Sequence, residues 1–165
     1  HRDLHSFPTR RSSDLLFKAI KREIRTAESA FSFLDILEQI SQPYTAFNNP
    51  GDEIWNKDER EHLKVLVLLN VSTCYSLMIA ALRYLPRPEY KILLRELSVI
   101  VFRHNISDLN PNEAERMFSK VANEIANGSI TSAKNAALAL KNIYVSDDNF
   151  EQAFSTVIVD RKSVV

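Results

Sequence analysis

The stretch LKVLVLLNVSTCYSLMIAALRYL, Leu63 to Leu85, is the most apolar part of this 165-residue chain, and its reading decides the fold. A membrane span needs about 20 predominantly apolar residues, and this run is long enough. Its polar residues argue otherwise. Lys64, Asn70, Ser72, Thr73 and Arg83 are scattered along it, where a charge or amide in hydrocarbon costs a few kcal/mol. They also fail to form one stripe on a single helix. A break near Asn70–Val71 resolves the pattern, with Ser72 expected to cap the second half through its hydroxyl. The stretch therefore reads as two short buried helices in succession.

Working outward, the remaining segments carry helical periodicity and helix punctuation. Leu16 to Ile40 reads as one long amphipathic helix, with Phe17, Ile20, Ile24, Ala27, Phe31 and Leu34 on its apolar face. A coiled coil is the alternative, but fewer than three heptads favour packing within the domain. Pro43 is expected to kink or restart the helix, and Asn48-Asn49-Pro50-Gly51 to form a turn. Asn56 with Glu59 marks the start of the helix leading into the central stretch. Pro86-Arg87-Pro88 ends that stretch and opens a helix to about His104, burying Tyr90, Leu93, Leu94, Leu97, Ile100 and Val101.

Asn110-Pro111-Asn112-Glu113 is the strongest helix start, with Asn110 as cap and Glu113 expected to complete a box. Ala114, Met117, Phe118, Val121 and Ile125 face inward from it, and Gly128 closes it. A shorter helix is expected from about Thr131 to Tyr144. A last one starts at Ser146-Asp147-Asp148 and runs through Phe150, Phe154, Val157 and Ile158. The fold class is thus all-α: an irregular bundle of about seven helices around two short buried central ones.

The ends differ from the middle. HRDLHSFPTRRSSDL, residues 1–15, lacks periodicity and a secretory apolar segment, and is expected to be disordered. It resembles translated sequencing-adapter read-through, and DRKSVV at 160–165 resembles the same; the alternative is a basic arm. Residues 16–159 then form one helical domain holding 16 Lys+Arg against 18 Asp+Glu, a formal net charge of −2. Such a balance gives no bulk footprint for nucleic acid. The single Cys74 excludes a disulfide framework and reads as a buried thiol. The expectation is a cytoplasmic protein with no membrane segment.

Two clusters could carry chemistry. Glu59 and His62 have the E-x-x-H spacing of di-metal bundles, but the motif occurs once and reads as a solvated first turn. Arg103-His104-Asn105, near a helix C-terminus, complements the dipole there. The functional alternative is a DNA or partner contact through Arg95, Arg103 and Asn105. No Gly-rich phosphate loop, zinc pattern or nucleophile with an evident base is present. No catalytic, cofactor-binding or metal-ligating residue is therefore assigned.

The stretch FRHNISDLNPNEAERMFSKVANEIAN, Phe102 to Asn127, resembles the helical middle region of GmrSD-type, modification-dependent restriction endonucleases. The preceding LLNVSTCYSLMIAAL and the following SDDNFEQAF extend the resemblance over residues 16–159. In that family a ParB/sulfiredoxin-like nucleotide-hydrolysing domain comes first and an HNH nuclease domain usually last. The Asp-Gly-Gln-Gln-Arg signature of the first domain is missing from this sequence, and His62 and His104 match no HNH context. The resemblance implies a non-catalytic connector in a phage-defence endonuclease, a fragment of metagenomic type. Its partners would be the flanking domains of the parent, with DNA reached through the parent. The parent would use a nucleotide and a divalent metal; this segment would hold neither. The alternative is a stand-alone helical protein–protein interaction module.

Overall fold

The computed structural model describes residues 10–156, and the expectations for residues 1–9 and 157–165 lie outside them. Among the described residues there are eight α-helices, one 3-10 turn and no strand, so the all-α class holds. The chain divides into two compact units, residues 1–42 and 43–165.

The first unit departs from the expected single helix. Helix α1 spans Arg10–Glu23 and α2 spans Ala27–Ala46. Helix α1 thus begins inside the stretch expected to be irregular. The break at residues 24–26 has a local cause. The Thr26 backbone N–H donates to Ser29 Oγ at 3.0 Å, and the Ser29 N–H returns to Thr26 Oγ1 at 3.1 Å. This reciprocal cap starts a new helix in the middle of the periodic run, with serine in the place usually held by Glu or Gln. Pro43 does not restart the helix: it lies inside α2, and its carbonyl still accepts the Phe47 N–H at 3.0 Å. The face expected to be inward is open, with Phe17 at 64 % and Phe31 at 68 % exposure.

The second unit holds the core. Helix α3 (Lys57–Leu68) and helix α4 (Tyr75–Tyr84) are the two halves of the central stretch. The break falls at Asn70, whose φ of 51° is left-handed. The Asn70 N–H donates to the Val67 carbonyl and the Val71 N–H to the Leu66 carbonyl, the paired bonds of a Schellman close. Ser72 does not cap the second half. Cys74 takes the cap position of α4 without a side-chain bond, and Ser72 offers only its carbonyl to the Tyr75 N–H.

Helix α5 (Arg87–Ile106) is 20 residues long and packs against both halves. Its predicted inner positions, Tyr90, Leu93, Leu94, Leu97, Ile100 and Val101, are all buried. Helix α6 (Pro111–Ala126) makes the most extensive helix pair with α4. It contributes Ala114, Phe118, Val121, Ala122 and Ile125, spaced at helical intervals, to the common core that also holds Ala80 and Ala81 of α4. Asn110 caps α6 through the Asn112 N–H, whereas no box through Glu113 forms. Gly128, at φ 79°, closes it as its sequence predicts.

The helix expected over 131–144 is shorter. Helix α7 (Ala133–Ala139) ends in a 3-10 turn over Lys141–Ile143, and α8 (Asp147–Thr156) comes next. Alanines 133 and 136 are buried, so α7 can lie close to α5 and α6.

Because Asn70 must hold a left-handed backbone, Asn70→Gly should keep wild-type stability while Asn70→Val loses about 1–3 kcal/mol in urea unfolding. Equal losses in both variants would show that the left-handed backbone does not set the break.

Candidate functional site

Glu59 is the least expected residue of the fold. It occupies the third position of α3, where a solvated carboxylate is the ordinary case, yet it is 0 % exposed. Its own helix start uses it first: Asn56 Oδ1 accepts from the Asp58 and Glu59 N–H groups, and Glu59 Oε2 accepts from the Asn56 N–H at 2.9 Å. That completes a capping box. The remaining charge is met from α5. Arg87 Nε donates to Glu59 Oε1 and its Nη2 to Glu59 Oε2, each at 2.6 Å. This planar fork-to-carboxylate match is the strongest geometry an ion pair adopts.

The guanidinium is itself held from three sides. It donates to the Ile54 carbonyl at 2.9 Å and lies over the rings of Trp55 and Tyr90, 5.6 and 5.3 Å from their centroids. Trp55 is stacked between Phe47 and Tyr90, and its Nε1–H donates to the Ala46 carbonyl at 2.9 Å. The Glu59 carboxylate pushes the Arg87 pKa up, against partial burial. Burial pushes the Tyr90 phenol far above its usual range. Lys91, one turn further along α5, pairs with Asp58 and holds that carboxyl below its usual range. The E-x-x-H pattern is therefore split. Glu59 is consumed by Arg87, while His62 sits part-buried with Nδ1 3.3 Å from Ser98 Oγ.

The second cluster, at the far end of α5, is also taken apart by the fold. Arg103 is 18 % exposed; its Nη1 donates to the Val145 carbonyl at 2.9 Å and its Nη2 pairs with Asp147 at 2.6 Å. Its plane lies 5.0 Å from the ring centroids of both Tyr144 and Phe150. Arg103 thus fastens the start of α8 to α5. Arg95 and Asn105 are exposed. Two positions on a helix differ by about 200°, so Asn105 points away from Arg103, and Arg95 lies about 15 Å from Asn105 along the axis. The three residues do not converge on one face.

His104 is buried beside a cleft of about 500 Å³ that Ser107, Glu113, Asn142 and Gln152 also line. Burial pulls its pKa down, and the Glu113 charge opposes this in part. The Ser107 hydroxyl is buried without a hydrogen-bond partner among the described residues. Arg103 also borders an open groove of about 510 Å³ lined by Val65, Leu68, Leu69, Val99, Phe102 and Phe150. Leu68, at 85 % exposure, stands at its rim.

No group of three His, Cys, Asp or Glu residues among those described is placed to hold a metal ion. No described helix is long and apolar enough to cross a membrane. Cys74 is buried, and its thiol is pushed up to about 12, which keeps it protonated. No family model, curated protein or solved structure matches the chain.

Sequence reasoning had the capping box but not its tertiary partner. The one available signal was an arginine fixed between Pro86 and Pro88, next to an acid that already had a local role. Removing Arg87 leaves a buried carboxylate with its charge unmet, so Arg87→Met should cost about 3 kcal/mol. Adding Glu59→Gln, which keeps a side-chain acceptor for the cap and deletes the charge, should recover part of the loss in urea unfolding. A double variant as unstable as Arg87→Met would contradict this. The fold holds His104 neutral, with a pKa below its unfolded value. Its stabilising contribution is therefore complete above pH ~6.5 and declines as pH falls through the folded value. His104→Gln should flatten the drop in urea midpoint between pH ~7.5 and ~5.5; an unchanged drop would place its origin elsewhere.

Proposed function

We propose that this chain is a non-catalytic helical connector from a DNA-targeting defence endonuclease, spacing a nucleotide-hydrolysing domain and an HNH nuclease domain. The observation that carries the reading is the resemblance of Phe102–Asn127 and its flanking stretches to the helical middle region of GmrSD-type enzymes. The geometry supports it in one respect. The charged side chains that stood out as possible chemistry, Glu59 and Arg103, are spent on fixing α3 and α8 to α5. A helix clamped at both ends suits a spacer that transmits position. On this reading the nucleotide and divalent metal belong to flanking domains of the parent, and DNA is met there.

A second reading is a helical interaction module that works without a nuclease. The apolar groove between α3, α5 and α8, with Leu68 at its rim, favours it.

The coding sequence on either side of residues 16–159 separates the two. A Gln-Gln-Arg signature upstream and an HNH signature downstream support the connector; the absence of both from complete flanks sinks it. For the chain itself, the connector reading expects no salt-dependent DNA affinity. Binding that weakens with salt and is lost on Arg95→Ala would instead assign a direct DNA contact.

A further inference from the structure

Helices α1 and α2 present a surface that the chain leaves open. Leu16, Phe17, Phe31, Leu34 and Leu37 are all exposed, and α2 carries apolar residues around more than half its circumference. Such a helix is ordinarily buried. The two helices also differ in charge. Helix α1 and the link after it, residues 10–26, hold six basic side chains against Asp14 and Glu23. Residues 27–46 hold Glu28, Asp35 and Glu38 and neither lysine nor arginine. Each copy thus offers one basic and one acidic helix, joined at the reciprocal Thr26–Ser29 cap. Yet α1 and α2 of one chain do not pack side by side.

We propose that α1 and α2 are a two-fold dimerisation arm, in which the basic α1 of one copy lies along the acidic α2 of a second copy, and the reverse. Two-fold symmetry makes this contact self-complementary: the single pairing of unlike helices is made twice. It covers both exposed apolar faces. It also closes with little residual charge, since residues 10–46 hold six basic and five acidic side chains. The charges set partner and orientation, as interhelical pairs do in coiled coils, while apolar burial supplies the drive. The proposal stands apart from the connector reading, because it rests on the exposure and charge of α1 and α2 and not on the resemblance.

The test is sedimentation velocity on the 165-residue chain at tens of micromolar. The wild type should be a dimer whose dissociation constant rises with salt. The triple variants Lys18→Glu/Lys21→Glu/Arg25→Glu and Glu28→Lys/Asp35→Lys/Glu38→Lys should each weaken self-association at least about tenfold, because each opposes like charges twice. An equimolar mixture of the two should form the heterodimer, and the chain carrying all six changes should dimerise alone. These rescues keep the test decisive even if one triple variant loses helicity. A monomeric wild type overturns the proposal, as does a dimer indifferent to both triple variants or a mixture that fails to associate.

Discussion

A carboxylate removed from water must find its charge elsewhere, and much of the second unit depends on how Glu59 does so. Its side chain closes the first turn of α3, which is a local task. Its charge is answered by Arg87, which begins α5. The pair therefore joins the N-terminal ends of two helices that are 28 residues apart in sequence. Trp55 and Tyr90 hold the guanidinium face-on, with the carboxylate fully buried and the Arg87 side chain 45 % exposed. Desolvated ion pairs add little net stability over an apolar replacement. They are severe about geometry, however, because any other register leaves a buried charge alone.

Helix α5 extends the same logic. Arg87 and Lys91 fasten it to α3, and Arg103 fastens its other end to α8. Between them, Glu89 Oε2 accepts the Ala133 N–H at 2.6 Å. That carboxylate meets the positive end of α7, adding to the local cap by Ser132. The buried side of α5 supplies Leu93, Leu94 and Leu97, each almost wholly removed from water and each contributing about 1.5–3 kcal/mol. Apolar burial thus gives α5 its drive, and the polar contacts at its margins give its neighbours their position.

Legibility tracked the range of the interaction. The break at Asn70, the cap at Asn110, the close at Gly128 and the inner face of α5 depend on residues a few positions apart, and each was readable. The Glu59–Arg87 and Arg103–Asp147 pairs depend on which helix ends meet, which no periodicity encodes. Both candidate clusters are visible as clusters, but Glu59 is buried where a solvated first turn is expected. The long helix expected over 16–40 failed for a subtler reason. Its apolar spacing continues through the break, while the Thr26–Ser29 cap that interrupts it uses a serine in place of the usual carboxylate or amide. The restart expected at Pro43 fails the other way. A proline ends a helix only when the lost N–H and ring crowding outweigh the bonds on either side, and here the bond to Phe47 and the buried Ala46–Phe47 pair hold the helix past it.

The same contrast separates the two units. In the second, Arg87, Glu89, Lys91 and Arg103 on α5 each find an opposite charge or a backbone group, and the core residues of its helices meet each other. In the first, local rules are satisfied and tertiary ones are not: the cap is complete, the helices form, and Leu16, Phe17, Phe31, Leu34 and Leu37 remain exposed. Helices of this length draw most of their stability from packing of an amphipathic face rather than from propensity. An arm with well-made starts and uncovered faces is therefore incomplete as a free body. The segregation of basic side chains on α1 from acidic ones on α2 shows what kind of surface would complete it.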